Sequence, residues 1–266
     1  MDAKTETVAE ALAQAWREGG SVAAVPADLH AADFEESFRI QDELDRRLGF
    51  DLLGWKIGVT SRAGKEKFGI DHPGAFGRVY RRIGREHPGR FRMREFRNPP
   101  LLEGEFAFRL GRDLPPRDEP YSEAEVRDSV SGLIMAIDMV DTRWGVPPFE
   151  LTPFQANADN ACAGGFVVGG ALDDWETLDV AGLPVNLYLD GELAGASWEG
   201  EQRCSLDELF AALQWGANHL SGRGLGFRAG QVVSTGSPHQ PVPAVPGAEA
   251  VIRYGELGEI RVTVEA

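Results

Sequence analysis

The pattern of apolar residues changes once along this chain, and the change limits the folds that are open to it. Apolar side chains recur at helical spacing over residues 4–18 and again over residues 33–48. From Leu52 onward, short apolar stretches are separated by glycine and proline, which is typical of strands and turns. We therefore predict one compact unit with an N-terminal helical region, residues 1–50, and a β-rich region, residues 51–266, that carries the functional site.

Local patterns in the second region predict a mainly β structure with inserted helices. Capping-box patterns at Ser122 and Ser205 indicate the starts of a short helix and a longer one. Residues 71–100 are predicted to be irregular loop with short strands. The other predicted strands and hairpins are residues 102–110, residues 132–141, a hairpin with a primed turn at Asp190-Gly191, and a closing hairpin over residues 250–266. The predicted fold class is α+β.

The composition excludes several kinds of partner. The chain has 266 residues, 42% of them hydrophobic, so it is long enough to bury a substantial core. Its net charge of −15 makes nucleic acid and anionic membrane surfaces poor partners. Cys162 and Cys204 are far apart, and the N-terminus does not have the pattern of a signal peptide. We expect a cytoplasmic protein with no disulfide framework and no membrane span.

Two acids in the predicted strand 102–110 stand two residues apart. Because side chains alternate between the faces of a strand, Glu103 and Glu105 share one face, while Phe106 and Phe108 share the other. The two carboxylates are then ~7 Å apart along the strand, close enough to lean toward one cation. The alternative is an ordinary amphipathic strand with a solvated acidic face.

A third acid, Asp138, interrupts the apolar run of residues 132–141. A buried carboxylate needs a partner, a proton or a metal. The alternative is that Asp138 lies at a strand end and pairs with Arg143. Asp141 is a second candidate for any functional role given to Asp138. Together with the two glutamates, Asp138 would complete an oxygen-only ligand set that suits Mg²⁺ or Mn²⁺ and does not suit zinc. Such a metal can bind adjacent oxygens of a 2-oxo acid and act as a Lewis acid.

Lys56 stands in the apolar stretch "LLGWKIGVTS". Burial of an unpaired ammonium is costly, so this side chain either reaches solvent or meets an anion. We predict that it faces inward, with the carboxylate or enolate of a metal-bound 2-oxo acid as its counter-charge.

Five motifs come in the order, and near the spacing, of a known family. They are "GWKIGVTS", "EGEFAFRLGRDLP", "AIDMVDTRW", "ADNACAGGFVVGG" and "TGSPHQPVPAVPG". From about residue 30 to its end, the chain resembles the 2-keto-4-pentenoate hydratase branch of the fumarylacetoacetate hydrolase superfamily, which includes 4-oxalocrotonate decarboxylase. The resemblance implies a mixed β-sandwich roll with a divalent metal at its mouth.

The resemblance also implies roles for particular residues. It places the metal ligands at Glu103, Glu105 and Asp138, and it gives Lys56 the task of binding or polarising the enolate-bearing acid. It implies a substrate pocket with contributions from Thr60, Asp159 and Asn160. The serine that usually follows this last pair, after one alanine, is Cys162 here.

Two departures from the family pattern bear on the reaction. Hydratases of this branch usually carry an aspartate, proposed for proton transfer, where Gly74 and Ala75 stand in this chain. The later element has His239 and Gln240 in place of threonine and glycine. His239 could supply the lost acid–base function, since its ordinary pKa is near ~6.5; a loop histidine at the rim of the pocket is the alternative.

The resemblance predicts a metal-dependent lyase that hydrates a 2-hydroxy-dienoate or 2-oxo-enoate. Decarboxylation is the first alternative, because the decarboxylase relatives also lack that aspartate. A C–C hydrolase acting on an acylpyruvate would need a base such as His30 paired with Glu35 or Glu36. The last alternative is a degenerate, non-catalytic member of the family that only binds a ligand or a partner subunit. Relatives form homo-oligomers, and decarboxylases pair with hydratases, so we expect a homo-oligomer and a complex with another enzyme of the same pathway.

Overall fold

The computed structural model describes residues 2–22, 25–200 and 203–266. Within these residues the helices are α1 (Ala3–Glu18), α2 (Phe34–Leu48), α3 (Arg62–Phe68), α4 (Glu123–Ser129), α5 (Pro153–Ala158) and α6 (Leu206–Gly222). The strands are β1 (Leu52–Gly58), β2 (Ala75–Tyr80), β3 (Gly84–Glu86), β4 (Gly89–Arg92), β5 (Leu101–Leu110), β6 (Val130–Val140), β7 (Ala163–Ala171), β8 (Val185–Leu189), β9 (Glu192–Gly195), β10 (Val232–Ser234), β11 (Val242–Pro243), β12 (Glu249–Tyr254) and β13 (Glu259–Glu265).

The two N-terminal helices begin and end as the sequence predicts. Asp33 caps α2 by accepting a hydrogen bond from the backbone of its first turn, and Gly49 ends it in the left-handed conformation. Helix α1 is capped in the same way. The helices pack on each other through apolar stripes that include Leu12 and Leu44, both fully buried. This cluster also contains Tyr80 of β2, so the helices share a core with the β-rich region.

The larger sheet carries β5 and β6 near its centre. Its strand order is β2-β1-β10-β5-β6-β7-β3, with the short β11 paired to β5. Strands β5 and β6 run antiparallel, whereas β1 with β10 and β3 with β7 run parallel. The sheet is therefore mixed, and it brings β1, β5 and β6 side by side with only β10 between β1 and β5.

The smaller sheet has the order β4-β13-β12-β8-β9. Strands β8 and β9 form the predicted hairpin, and Asp190 and Gly191 have φ values of 46° and 90°. Positive φ at both turn positions is the signature of a primed turn, so this prediction is confirmed. The closing hairpin is confirmed as β12 and β13, and β13 packs against β6 and β7 of the larger sheet.

The mixed sheets and the helices confirm the α+β class. Residues 71–100 contain the predicted short strands, β2, β3 and β4, and β2 joins the larger sheet by pairing along its length with β1. The division at residue 50 stays a prediction. No helix in the described part of the chain is both long enough and apolar enough to cross a membrane.

Candidate active site

Three carboxylates meet on one face of the larger sheet. Glu103 of β5 lies directly opposite Asp138 of β6 in the strand register, and Glu105 follows two residues later on the same face. Their ligand atoms all lie within 4.8 Å of one another. Glu105 is 2% exposed and Asp138 is fully buried, so the alternative of a solvated acidic face does not hold.

Lys56 faces this cluster from β1. It is 5% exposed, which confirms the prediction that it points inward. Its Nζ forms an ion pair with Oδ2 of Asp138, so the counter-charge in the structure is a protein carboxylate, where the sequence had predicted a substrate anion. Burial lowers the pKa of Lys56, but the three carboxylates outweigh burial and raise it above its ordinary value. The ammonium therefore keeps its proton.

The three acids carry more negative charge than one lysine can balance. Burial, and next the charge of Asp138, raise the pKa of Glu103 to about 7 and that of Glu105 well above its ordinary value. Burial also raises the pKa of Asp138, against the pull of Lys56. The Oδ1 atom of Asp138 is buried and has no hydrogen-bond partner in the described part of the chain. Buried like charges and an orphaned oxygen fit a divalent cation with oxygen ligands, and these three residues would hold it.

A cavity of about 370 Å³ opens over the cluster. Lys56, Glu103 and Glu105 line it on the sheet side. Elsewhere its lining is largely apolar, with Val180, Trp198 and Leu209 among the contributors. A small-molecule site of this kind typically combines apolar walls with a few polar groups.

His239 lines this cavity but its ring is fully engaged with the backbone. Its Nε2 accepts a hydrogen bond of 2.8 Å from the N–H of Gly104, and its Nδ1 lies 2.8 Å from the carbonyl oxygen of Gln240. Only a neutral ring with the proton on Nδ1 satisfies both contacts. Burial lowers the pKa of His239 and outweighs the hydrogen bond to Gln240, which acts in the opposite direction. The predicted acid–base role is therefore not supported, because neither nitrogen is free to exchange a proton with a substrate.

The same contact explains how the strand that carries Glu103 and Glu105 is held. On one edge β5 pairs with β10 at residues 107–109 and with β11 at residues 101–102, which leaves a gap between them. Gly104, between the two glutamates, falls in that gap, and the His239 ring takes the place of the missing strand partner. His239 thus positions the backbone that carries two of the three carboxylates.

Comparison with known proteins places the chain in a family. Residues 82–265 match the sequence pattern described as fumarylacetoacetate (FAA) hydrolase C-terminal. The chain belongs to the FAA hydrolase family. It is 26% identical over 265 residues to a 2-keto-4-pentenoate hydratase from Burkholderia vietnamiensis, with 98% of each chain covered. It is 28% identical over 272 residues to a 2-oxo-hept-4-ene-1,7-dioate hydratase from Escherichia coli, again with 98% of each covered.

Solved structures agree on the fold. The chain is similar to a 4-oxalocrotonate decarboxylase from Pseudomonas putida G7 that was complexed with magnesium and adipate. The TM-score is 0.82 at 23% identity, and the match covers 98% of this chain and 97% of the other. The FAA hydrolase fold is thereby shown, and the hydratase relatives indicate an enzyme of the lyase type.

In this protein, Asp159 does not line the cavity. It is fully buried and accepts hydrogen bonds from Nε1 of Trp16 at 2.8 Å, from the hydroxyl of Thr142 and from the backbone N–H of Arg143. These bonds tie α1 to the segment after β6. The predicted substrate contact is therefore replaced by a structural role, because both oxygens of this buried carboxylate accept hydrogen bonds from protein donors.

Asn160 is also buried away from the cavity, where its side-chain nitrogen donates to the hydroxyl of Tyr80 at 3.2 Å. The next two residues, Ala161 and Cys162, line the cavity instead. All three have φ between 50° and 57°, the left-handed region, which is costly outside glycine and is concentrated at functional sites. Burial raises the pKa of the Cys162 thiol to about 12, so it presents a neutral S–H.

Thr60 does line the cavity. Its hydroxyl donates to the carbonyl oxygen of Thr235 at 2.8 Å and lies 3.7 Å from the thiol of Cys204. It thereby connects the lysine segment to the loop that leads to His239. Its predicted contact with substrate stays a prediction.

No carboxylate stands where the family's usual aspartate would be. Ala75 lines the cavity there, at the first residue of β2, and Gly74 precedes it. The competing acid, Asp141, accepts hydrogen bonds from the backbone of Arg97 and Asn98 and is not part of the cluster. Among the described lining residues, the carboxylates are therefore those of Glu103 and Glu105.

The histidine–glutamate pair that the hydrolase alternative requires, His30 with Glu35 or Glu36, does not form. The ring nitrogens of His30 lie 3.0 Å from the carbonyl oxygen of Val25 and 3.1 Å from the side-chain nitrogen of Gln155. Glu35 pairs with Arg39, and Glu36 with Lys4. None of these three candidates lines the cavity over the carboxylate cluster.

The sequence did not reveal the wall opposite the sheet. Arg203 and Trp198 lie in the segment after β9, which has no motif and no periodicity that marks it as functional. Only its folding back over the cavity brings these side chains to the site.

Proposed function

We propose that the protein is a divalent-metal-dependent lyase that adds water to a 2-hydroxy-dienoate or 2-oxo-enoate, as the names of its hydratase relatives indicate for them. The observation that carries this proposal is the buried group of three carboxylates beside a protonated lysine at the base of a cavity. The cavity of about 370 Å³ has room for a small 2-oxo acid.

We propose Mg²⁺ or Mn²⁺ as the cofactor. Glu103, Glu105 and Asp138 offer carboxylate oxygens only, which favours these hard cations over zinc. When bound, the metal supplies a Lewis acid that orients and polarises the 2-oxo acid. The neighbouring decarboxylase structure contains magnesium, which supports the choice.

The chain's own residues supply charge, shape and exclusion of water. Lys56 holds a proton at Nζ beside the carboxylates, where it can stabilise negative charge that develops on an enolate. Val140, which shares the Asp138 face of β6, lines the cavity and keeps the local dielectric low, which strengthens this interaction. The hydroxyl of Thr60 lies on the same lining.

Decarboxylation is the second candidate, and one observation favours it. The lining has an alanine at position 75, and His239 has no free nitrogen, so the described lining adds no carboxylate and no free imidazole to the cluster and Lys56. Loss of CO₂ needs less proton transfer from the protein than addition of water does. The acylpyruvate hydrolase alternative loses its base, because His30 is elsewhere.

Several broader expectations remain proposals. Contact between the two sheets supports the mixed β-sandwich roll. A homo-oligomer, a complex with another enzyme of the pathway and a cytoplasmic location are proposed from the resemblance and the composition.

The test is turnover with and without metal. We expect Mg²⁺-dependent loss of dienol absorbance from 2-hydroxypenta-2,4-dienoate, and release of CO₂ from 4-oxalocrotonate if decarboxylation is the reaction. Glu103→Ala should abolish both metal binding and turnover, whereas Glu192→Ala, in the exposed hairpin strand β9, should leave both unchanged. An E103A variant that stays fully active without metal would refute the metal-dependent mechanism, and activity on acylpyruvates alone would favour the hydrolase.

A further inference from the structure

Arg203 lines the cavity with part of its guanidinium unpaired. Its Nε donates to the carbonyl oxygen of Trp198, and its Nη1 donates to that of Ala181 at 2.9 Å. Nη2 has no acceptor among the described residues, and no described carboxylate forms an ion pair with this arginine. Two backbone carbonyls therefore hold the guanidinium in place while one edge stays open to a ligand.

This arginine differs from the other cation of the cavity. The charge of Lys56 is balanced by Asp138, to which it is directly bonded. The positive charge of Arg203 meets only carbonyl dipoles in the described part of the chain. An anion in the cavity would complete its charge as well as its hydrogen bonds.

Arg203 and the carboxylate cluster lie on different walls. Glu103 and Asp138 are on β5 and β6 of the larger sheet. The carbonyls that hold Arg203 belong to the segments on either side of the β8–β9 hairpin of the smaller sheet, and the backbone N–H of Trp198 is bonded to the carbonyl of Pro238. A ligand bound at the cluster by one end would therefore extend toward Arg203 with the other.

The walls between these two ends suit a carbon chain. Val180 precedes the Ala181 whose carbonyl holds the arginine, and it lines the cavity together with Trp198 and Leu209, all of which offer apolar surface. The N–H groups of Nη2 suit the oxygens of an anionic group, and a carboxylate is the anion that the 2-oxo acids of the proposed function carry.

We propose that Arg203 binds a second, distal carboxylate of the substrate, so that the enzyme prefers a 2-oxo-enedioate to a 2-oxo-enoate with one carboxylate. The inference rests on the proposed function, because it assumes that the 2-oxo acid end of the substrate lies at the carboxylate cluster. It goes beyond that function by naming the substrate class and the residue that selects it.

The test compares two acids that differ only in the distal carboxylate. Binding of 2-oxoadipate and of 2-oxohexanoate to the whole protein is measured by titration calorimetry in the presence of Mg²⁺, which needs no turnover. We expect 2-oxoadipate to bind about 10- to 100-fold more tightly, as is typical of a hydrogen-bonded charged pair. Equal affinity of the unaltered protein for both acids would overturn the proposal about Arg203 while leaving the proposed function standing.

Variants then assign the preference to this residue. Arg203→Met should remove the preference for the diacid and leave the affinity for 2-oxohexanoate within about twofold, and Arg203→Lys should keep part of it. Arg253→Met, on the exposed side of β12, is the control and should change neither affinity. Equal weakening of both acids by R203M would show that the arginine only braces its loop, and would refute the proposal. If neither acid binds in a Mg²⁺-dependent manner, the proposed function itself fails.

Discussion

Replacement of His239 tests whether its ring positions β5, the strand with two of the proposed metal ligands, or transfers protons. In His239→Leu, the buried N–H of Gly104 loses its only described acceptor. An unsatisfied buried donor costs about 1–3 kcal/mol. The carbonyl of Gln240 also loses its donor, but that residue is exposed and water can replace the ring at no large cost. We therefore expect a loss of about 1–3 kcal/mol in the free energy of unfolding.

The affected backbone lies between two of the three predicted metal ligands, so metal affinity should fall as well. Loss of a hydrogen bond that orients metal ligands typically reduces metal affinity by about 10- to 100-fold. Urea unfolding measures the first effect, and calorimetric titration with Mn²⁺ measures the second.

Two conservative variants separate the roles of the ring nitrogens. Glutamine can place an acceptor near the Nε2 position and should recover most of the stability and metal affinity. Asparagine reaches only the Nδ1 position, so His239→Asn should behave like His239→Leu. A general acid–base role predicts instead that His239→Gln loses about 100-fold or more in turnover with normal metal affinity. That result, or an H239L protein as stable and as tightly metal-binding as the original, would refute the positioning role.

Two further predictions concern the carboxylate cluster and the left-handed segment of residues 160–162. Because the pKa of Glu103 is raised to about 7, this carboxyl is protonated below that pH, and a metal must displace the proton to bind. Metal affinity should therefore fall as the pH drops below about 7. Calorimetry in buffers of different ionisation enthalpy measures the protons released on binding. Affinity that does not change between pH 5.5 and 7.5, or that rises toward low pH, would contradict this. Gly77→Ala should destabilise the protein by about 3 kcal/mol or more, because the added methyl meets the carbonyl group of Asn160, whereas Gly132→Ala has open space and serves as the matched control in the same urea unfolding experiment. Equal unfolding midpoints for the two alanine variants would show that the segment of residues 160–162 shifts to make room for the methyl group.

Much of the fold follows from local chemistry. The alternation of side chains along 102–110 places Glu103 and Glu105 on one face of a strand whatever the rest of the chain does. In the same way, the left-handed conformation that Asp190-Gly191 readily adopts determines a hairpin at that point. The sequence predicted short strands within residues 71–100, but the bounds of β2 and its place in the larger sheet follow from its pairing with β1.

The roles of single polar residues depended on partners far away in the sequence. His239 seemed available for proton transfer until Gly104, 135 residues earlier, took one of its nitrogens. Asp159 was expected in the pocket, yet Trp16, 143 residues earlier, donates to it in the core. No local pattern carries such contacts, because they form only when separate elements pack together.

The sequence by itself determined the kinds of element, the face that carries the two glutamates, and the need for a partner at Lys56 and Asp138, since burial of a lone charge is costly anywhere. Only the tertiary structure decided that these two residues are each other's partner, because β1 and β6 come together through β10 and β5. It alone placed Arg203 over the cavity, since a loop has no periodicity that could indicate in advance where its side chains point.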